Sequence, residues 1–179
     1  NEAGDSQFSG AGGGLASSSA VQVTGCTIRS NRAEYFGGGL YGGGWYDDCL
    51  IESNCSSTGG GAYANGSLHI EDSIIRSNFG CSTATQDFGG GVWGPADMLR
   101  CTIESNFVAG EGGGSHGATL MECVLRNNTA SRAGTSLPGL GGGAKGAEQE
   151  QEVRRQGQRV FAGDRDEFGD RLGEPDRPP

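Results

Sequence analysis

Ring-bearing side chains recur at one position relative to a repeated glycine phrase. Glycine triplets begin at Gly12, Gly37, Gly59, Gly89, Gly112 and Gly141. The second residue after four of these triplets carries a ring, and we call these four residues the ring column: Tyr41, Tyr63, Trp93 and His116. Sugar rings stack on aromatic faces, so a row of such side chains along one surface would form a glycan-binding track. A stack that only stabilises strands, or one that faces inward, would give the same spacing.

Two acidic pairs raise the question of hydrolysis or metal binding. Asp47-Asp48 and Glu71-Asp72 could hold Ca²⁺ or take part in acid–base chemistry. A solvated turn after Trp45-Tyr46 accounts for the first pair without any chemistry. The Gly-x-Gly-x-x-Gly spacing of dinucleotide sites matches at several triplets, but no helical pattern follows them. The sequence therefore predicts no catalytic residue, no metal site and no cofactor.

The six cysteines divide into two groups. Four occupy the first position of a repeated phrase, where small buried side chains are expected: Cys26, Cys49, Cys101 and Cys123. Cys55 and Cys81 fall in the variable part of adjacent repeats and form the predicted disulfide. The absence of a Cys-x-x-Cys pair disfavours a zinc site. A disulfide would place the chain in an oxidising compartment.

Three tripeptides match the N-glycosylation sequon, beginning at Asn54, Asn65 and Asn127. Asn54 and Asn127 lie in or beside a column of repeated asparagines. Since a glycan needs an accessible acceptor, only Asn65 is expected to be available.

An internal repeat positions all of these residues. A six-residue phrase such as Cys-Thr-Ile-Arg-Ser-Asn occurs in related forms beginning at Cys26, Cys49, Ser73, Cys101 and Cys123. The starts are 23, 24, 28 and 22 residues apart, and the phrases alternate with the glycine triplets. Such a period holds three short strands and three turns, so each coil can lie on the previous one about 4.8 Å away. We therefore predict an all-β fold, a parallel β-helix of about five to six rungs.

Columns of like residues separate the interior from the surface. The third phrase position is predicted to fill the core and holds Ile28, Ile51, Ile75, Ile103 and Leu125. Another apolar column stands three residues before each phrase. The sixth position is always Asn and is predicted to form an amide ladder at a turn. The fourth position alternates between Arg and Glu, so stacking would bring opposite charges together. The triplets supply positive φ or close backbone approach at a second corner.

The repeat ends near Gly146, which divides the chain into a β-helix domain (residues 1–146) and a charged tail (residues 147–179). The tail holds nine acidic residues and six arginines among its 33 residues, and apolar residues are sparse. Such a segment cannot bury enough surface to order itself, so we predict that it is disordered. The alternative is that the tail caps the last rung, where unpaired strand would otherwise be exposed.

Charge and hydropathy restrict the partners. The formal net charge of −9 disfavours nucleic acid and polyanionic sugars, whose recognition requires a basic face. No stretch approaches the about 18 apolar residues of a membrane-spanning helix. The chain begins with Asn and shows no signal peptide, so we expect a processed chain or a fragment.

The alternating phrases resemble the right-handed parallel β-helix superfamily that is called pectin-lyase-like. More narrowly, Gly60-Gly61-Ala62 and Ile28-x-x-Asn31 are similar to the paired repeats of the chlamydial polymorphic outer membrane proteins. A third Gly replaces that family's Ala in other repeats, and Ile or Leu replaces its Phe. The similarity covers about residues 10–146. It implies a right-handed β-helix used for adhesion or surface display, and it supplies no catalytic residue.

Polysaccharide lyases and hydrolases also belong to this superfamily. The run Gly114-Ser115-His116-Gly117 is similar to the Gly-His-Gly phrase of polygalacturonases, but the interposed Ser breaks that motif. The accompanying Asn-Thr-Asp and Arg-Ile-Lys phrases are absent from the sequence. An enzyme of this kind would need Asp47, Asp48, His116 and an Arg in one groove.

We therefore predict a non-catalytic extracellular or cell-surface repeat domain that displays or binds a glycan or a partner protein through the ring column. Two alternatives stay open. One is a fragment of a pectin-lyase-like polysaccharide lyase or hydrolase. The other is a structural spacer in a longer repeat protein, which would need neither a catalytic groove nor an exposed ring column.

Overall fold

The computed structural model describes residues 2–3, 10–17, 21–81, 87–131, 142–145 and 154–156. The regular elements of these residues are all strands. In chain order they are β1 (Glu2–Ala3), β2 (Leu15–Ser17), β3 (Gln22–Thr24), β4 (Thr27–Arg29), β5 (Arg32–Ala33), β6 (Leu40–Asp47), β7 (Leu50–Glu52), β8 (Cys55–Ser56), β9 (Ala62–Glu71), β10 (Ile74–Arg76), β11 (Phe79–Gly80), β12 (Asp87–Phe88), β13 (Val92–Trp93), β14 (Ala96–Leu99), β15 (Thr102–Glu104), β16 (Phe107–Val108), β17 (Gly110–Glu111), β18 (Ser115–His116), β19 (Thr119–Met121), β20 (Val124–Arg126), β21 (Thr129–Ala130), β22 (Ala144–Lys145) and β23 (Arg154–Gln156).

Successive repeats stack into three main parallel sheets, so the chain forms a parallel β-solenoid of about four turns. The first sheet contains the phrase strands β4, β7, β10, β15 and β20. The second sheet follows the Asn corner and contains β5, β8, β11, β16 and β21. The third sheet is built around the long strands β6 and β9. The predicted all-β parallel β-helix is confirmed, and the described strands account for about four turns of the predicted five to six rungs.

The predicted core columns lie inside the coil. Ile51, Ile75 and Ile103 have no exposed surface, and each is paired in register with the next. A second buried column has the same stacking and consists of Tyr46, Ile70, Met98 and Leu120. Each inward side chain therefore packs against the equivalent side chains of the rungs above and below. Because every repeat offers the same space at that position, similar residue types recur there.

The asparagine column forms the predicted amide ladder. The Nδ2 atom of Asn54 donates to Oδ1 of Asn78, and Nδ2 of Asn78 donates to Oδ1 of Asn106, each at 3.0 Å. The backbone N–H of each of these residues donates to the same Oδ1 acceptor as its side chain. The second amide hydrogen is donated to a backbone carbonyl of the preceding rung, as from Asn78 to the carbonyl of Ile51 at 2.9 Å. Because every polar atom of these amides has a partner, Asn can be buried at this turn. An apolar residue there would leave buried backbone groups of the turn without a hydrogen-bond partner.

Each coil turns at three left-handed corners. The fifth phrase position has φ between 53° and 55°, and the residue directly before the phrase has φ between 45° and 63°. The first glycine of a triplet supplies the third corner, for example Gly37 with φ of 61°. The later triplet glycines are needed for close approach, because a Cβ on Gly91 would lie 2.4 Å from the carbonyl oxygen of Gly114. Both predicted roles of the triplets are confirmed.

The Cys and Ser residues at the first phrase position are alike in hydrogen bonding as well as in size. The Cys49 thiol donates to the carbonyl of Asp47 at 3.2 Å, and the Ser73 hydroxyl donates to the carbonyl of Glu71 at 2.6 Å. Both bonds close the corner that precedes the phrase, so Ser can replace Cys in the third repeat. Cys49, Cys101 and Cys123 are buried as predicted, whereas Cys26 in the first repeat is exposed.

The alternating Arg and Glu residues of the fourth phrase position stack on the outer face of the first sheet. Arg76 lies between Glu52 and Glu104, and it donates to Glu52 at 2.8 Å. Arg126 pairs with Glu104 in the same way. The predicted alternation of charge is therefore realised as ion pairs between adjacent rungs.

Most of the tail predicted to be disordered, residues 147–179, lies outside the described residues. The exception is β23, which pairs in parallel with β20 and places Arg155 opposite Leu125. This pairing covers the edge of the last phrase strand.

Candidate functional site

The ring column is stacked on the outer face of the third sheet. Tyr41 pairs in register with Tyr63, Tyr63 with Trp93, and Trp93 with His116. Their strand neighbours Leu40, Ala62, Val92 and Ser115 are buried. Because adjacent residues of a strand point to opposite faces, the rings point outward. All four are half-buried, so the inward-facing interpretation is excluded.

The rings are stacked on one another rather than laid flat on the surface. The centroids of Tyr41 and Tyr63 are 5.4 Å apart with planes 14° apart, and those of Tyr63 and Trp93 are 4.5 Å apart with planes 15° apart. Trp93 and His116 are 6.3 Å apart with planes 14° apart. Each inner ring therefore has a protein ring over each face and shows its edge to the solvent.

Phenylalanines from the other side of the glycine corner extend this aromatic surface. The residues directly before the triplets form their own column of bridges, in which Phe36 and Phe88 each pair with Thr58. The Phe36 ring lies 4.7 Å from that of Tyr63, tilted by 53°. Phe88 meets His116 edge-on at 5.8 Å. We call the ring column together with Phe36 and Phe88 the aromatic face.

An ionic cluster ends the aromatic face at its C-terminal rung. The Lys145 Nζ atom lies 2.7 Å from a Glu111 carboxylate oxygen, and the His116 Nε2 atom lies 3.7 Å from the same oxygen. Burial lowers the pKa of His116, while the Glu111 carboxylate acts in the opposite direction. The lowered pKa favours the neutral imidazole, which can both donate and accept a hydrogen bond.

A second ring pair lies farther along the same strands. The rings of Trp45 and His69 are 4.1 Å apart with planes 17° apart, and His69 Nδ1 lies 3.3 Å from a carboxylate oxygen of Asp97. Trp45 is 50% exposed. Sequence patterning did not identify this pair, because its column mixes residue types. The sequence did contain one signal: Trp45 and His69 each stand directly before a residue of a buried apolar column. Because adjacent strand residues face opposite sides, both side chains are expected to point outward.

Of the two acidic pairs, Glu71-Asp72 forms ion pairs with Arg100. Arg100 donates to both carboxylate oxygens of Asp72 at 2.7 Å and also pairs with Glu71. The Arg100 guanidinium lowers the pKa of Asp72. Within the described ranges, no group of three or more His, Cys, Asp or Glu side chains is arranged to hold a metal ion. Asp47 stands three rungs from His116, so these groups do not share a groove.

Cys55 and Cys81 lie on adjacent rungs and are joined by a disulfide, with their Cα atoms 5.6 Å apart. Cys55 belongs to β8, and the backbone N–H of Cys81 donates to the carbonyl of Ser56 at 3.1 Å. The disulfide thus links two adjacent rungs beside the neighbouring strands β8 and β11 of the second sheet, just before the variable segment that leads to Phe88.

The three sequons differ in exposure. Asn54 is buried in the amide ladder, whereas Asn65 is exposed. The expectation that Asn127 is shielded by the ladder is wrong, because Asn127 is exposed and Asn128 is the ladder residue. The left-handed corner at Asn127, with φ of 54°, turns its side chain away from the ladder.

The chain matches no known family model, no curated protein and no solved structure in the comparisons made. The description as a parallel β-solenoid therefore rests on strand order and register. Among the described residues there is no helix long and apolar enough to span a membrane.

Proposed function

We propose that this chain is a non-catalytic binding and display domain of a secreted or cell-surface protein, and that the aromatic face binds a neutral glycan. The observation that supports this proposal is the outward stack from Tyr41 to His116, flanked by Phe36 and Phe88. Apolar surface gathered on one outer face often marks a binding site, and six ring-bearing side chains meet at this corner.

The arrangement suits contact with ring edges better than flat stacking. A sugar presents C–H groups and hydroxyls together, and it could place them against the apolar edge and the polar atoms of successive rings. Tyr41 and Tyr63 offer phenolic hydroxyls, and Trp93 offers an indole N–H. The spacing of about 4.8 Å between rungs provides such an edge at regular intervals. An extended, neutral oligosaccharide running along the coil axis is the ligand that fits this pattern.

Charge supports a neutral ligand. The chain carries a formal net charge of −9, and the ion pair between Glu111 and Lys145 leaves no cationic groove beside the ring column in the described residues. A polyanionic sugar would be repelled by the protein as a whole. The column also lies next to the segments of variable length that lead into the triplets, where repeat proteins commonly recruit binding residues.

A glycan array probed with the full chain, with and without Ca²⁺, tests the proposal. We expect binding of neutral oligosaccharides that does not depend on Ca²⁺ and that weakens at least about tenfold in Trp93→Ala, the loss of one aromatic anchor. Phe79→Ala is the matched control, because Phe79 is 41% exposed but lies in β11 of the second sheet. An unmodified chain that binds no glycan, or a Trp93→Ala chain that binds as well as the control, would overturn the proposal.

A further inference from the structure

The exposed sequon at Asn65 lies on the surface that carries the ring column. Asn65, Gly66 and Ser67 are consecutive exposed residues within strand β9, whose other residues are buried or half-buried. Gly66 has φ of 136°, and a Cβ built on it would meet no atom within 4 Å, so the tripeptide projects into solvent. An acceptor asparagine needs this accessibility, because the bulky sugar must leave the surface without displacing protein atoms.

Asn65 also has a defined relationship to the rings. Its Nδ2 atom donates to the hydroxyl of Tyr41 on the neighbouring rung at 2.7 Å. Tyr63 stands two residues earlier in the same strand, so it points to the same outer side as Asn65. Any group attached to Nδ2 therefore begins beside the edges of two stacked tyrosines.

The buried sequon provides an internal contrast. Asn54 has no exposed surface, and both of its amide hydrogens are donated, to Asn78 and to the carbonyl of Ile28. A sugar on Asn54 would remove ladder bonds and could not fit inside the coil. Folding and modification therefore exclude each other at Asn54 but are compatible at Asn65.

We infer that Asn65 is an attachment site for an N-linked glycan, and that the first sugars of this glycan cover the edges of Tyr41 and Tyr63. The donor would be a lipid-linked oligosaccharide diphosphate. The Asn65 amide nitrogen forms a bond to C1 of the first sugar, and the bond between C1 and the diphosphate oxygen breaks. The lipid diphosphate leaves with that electron pair, and the amide proton passes to a base of the transferase. Sugar C–H groups packed on aromatic edges then hold the glycan against the protein.

The disulfide is consistent with this inference. Cys55 and Cys81 are positioned as a bonded pair, and disulfides persist in the same oxidising compartments in which N-glycans are attached. The inference does not rest on the proposed glycan-binding function, because occupancy of Asn65 is read directly from the mass of the peptide. Where Asn65 is occupied, its sugars take the edges of Tyr41 and Tyr63, and a bound ligand is left with the edges of Trp93 and His116.

Secretion of the full chain from a eukaryotic cell tests the attachment. Enzymatic release of N-glycans in heavy-oxygen water marks each released position, which separates it from spontaneous deamidation of the Asn-Gly pair in ordinary water. We expect the mark on Asn65 and none on Asn54. Ser67→Ala is the matched control, because it removes the sequon but keeps the Asn65 amide. A folded, secreted chain without the mark on Asn65 would overturn the inference.

Tyrosine nitration tests where the glycan lies. Tyr41 and Tyr63 should be nitrated several-fold more slowly in the glycosylated chain than in the Ser67→Ala chain. Tyr35 is the internal control, because it is 52% exposed and lies before the glycine corner. Equal nitration of Tyr41 and Tyr63 in both chains would show that the glycan extends away from the rings, and the second half of the inference would fail.

Discussion

Tyr63 and Trp93 stack face to face across adjacent rungs, with ring centroids 4.5 Å apart and planes 15° apart. Their strands pair in register, so the contact repeats the spacing of the coil itself. These side chains therefore both form the proposed binding surface and contribute to the stability of the coil. Removal of an inner ring such as Trp93 therefore loses ring contacts to the rungs on both sides.

Trp93→Ala should lower stability moderately as well as weaken binding. Stacked aromatic pairs contribute about 0.5–1.5 kcal/mol beyond area burial, and Trp93 contacts both Tyr63 and His116. We expect a loss of about 1–2 kcal/mol in the free energy of unfolding, measured by thermal or denaturant melts. This is less than the about 3–5 kcal/mol of a fully buried aromatic side chain.

Trp93→Phe is the matched variant, because it keeps a flat ring between the same neighbours. It should recover most of the lost stability. If Trp93→Ala melted like the parent chain, the rings would not be stacked in solution. If Trp93→Phe were as unstable as Trp93→Ala, the loss would not come from stacking.

The sequence predicted the columns well because a coil of constant period stacks like on like. The structure stacks equivalent residues of successive repeats in register, as it does for Ile75, Asn78 and Trp93. Phe36 and Trp45 were missed because their columns mix residue types, so no repetition marks them. The orientation of the rings was also beyond prediction, since periodicity identifies the neighbour of a side chain but not its rotamer.

Ile75→Asp should abolish folding at room temperature. Ile75 has no exposed surface, and burial of an unpaired carboxylate costs several kcal/mol, which is comparable to the stability of a domain. Ile74→Asp is the matched control, because Ile74 is the preceding residue and is 40% exposed. Circular dichroism should show loss of the β signal in the first variant only. Equal effects of the two substitutions would contradict the inward and outward assignment.

Asn78→Ala should destabilise the chain by at least about 3 kcal/mol. The substitution removes the acceptor of the Asn54 backbone N–H and of one Asn54 Nδ2 hydrogen, and each buried donor left unpaired costs about 1–3 kcal/mol. It also removes the side-chain donor to the carbonyl of Ile51 and one of the two donors to Oδ1 of Asn106. Ser77→Asn is the control, because Asn127 occupies the equivalent left-handed position of the fifth repeat. Urea denaturation measures both, and a near-neutral Asn78→Ala would disprove the ladder.

Glu52→Arg should cost about 1 kcal/mol, and the loss should shrink in high salt. Glu52 accepts from Arg76 and stands in register with both Arg29 and Arg76, so the substitution would align three guanidinium groups. Glu52→Gln removes the attraction without adding repulsion and should cost less. The comparison is made by melts in low and high salt. A loss in Glu52→Arg that does not respond to salt would exclude a charge effect.

His116 should make stability fall as the pH is lowered below the ordinary histidine value of about 6.5. Burial is the main cause of its lowered pKa; the nearby Lys145 acts in the same direction and Glu111 opposes it. The folded chain therefore binds this proton less readily than the unfolded chain, whose histidines titrate near about 6.5. The contribution is fully present above that value and is lost as the pH falls through the lower, folded pKa.

Melting temperatures measured across this pH interval separate His116 from the rest of the chain. His116→Gln should flatten the decline, because Gln occupies a similar volume and does not titrate. His69→Gln is the matched control, since it removes the other of the two histidines and leaves His116 beside Glu111 and Lys145. If the parent and His116→Gln declined in parallel, the titration of His116 would not be coupled to folding. The half-buried position of this ring at the end of the aromatic face would then be wrong.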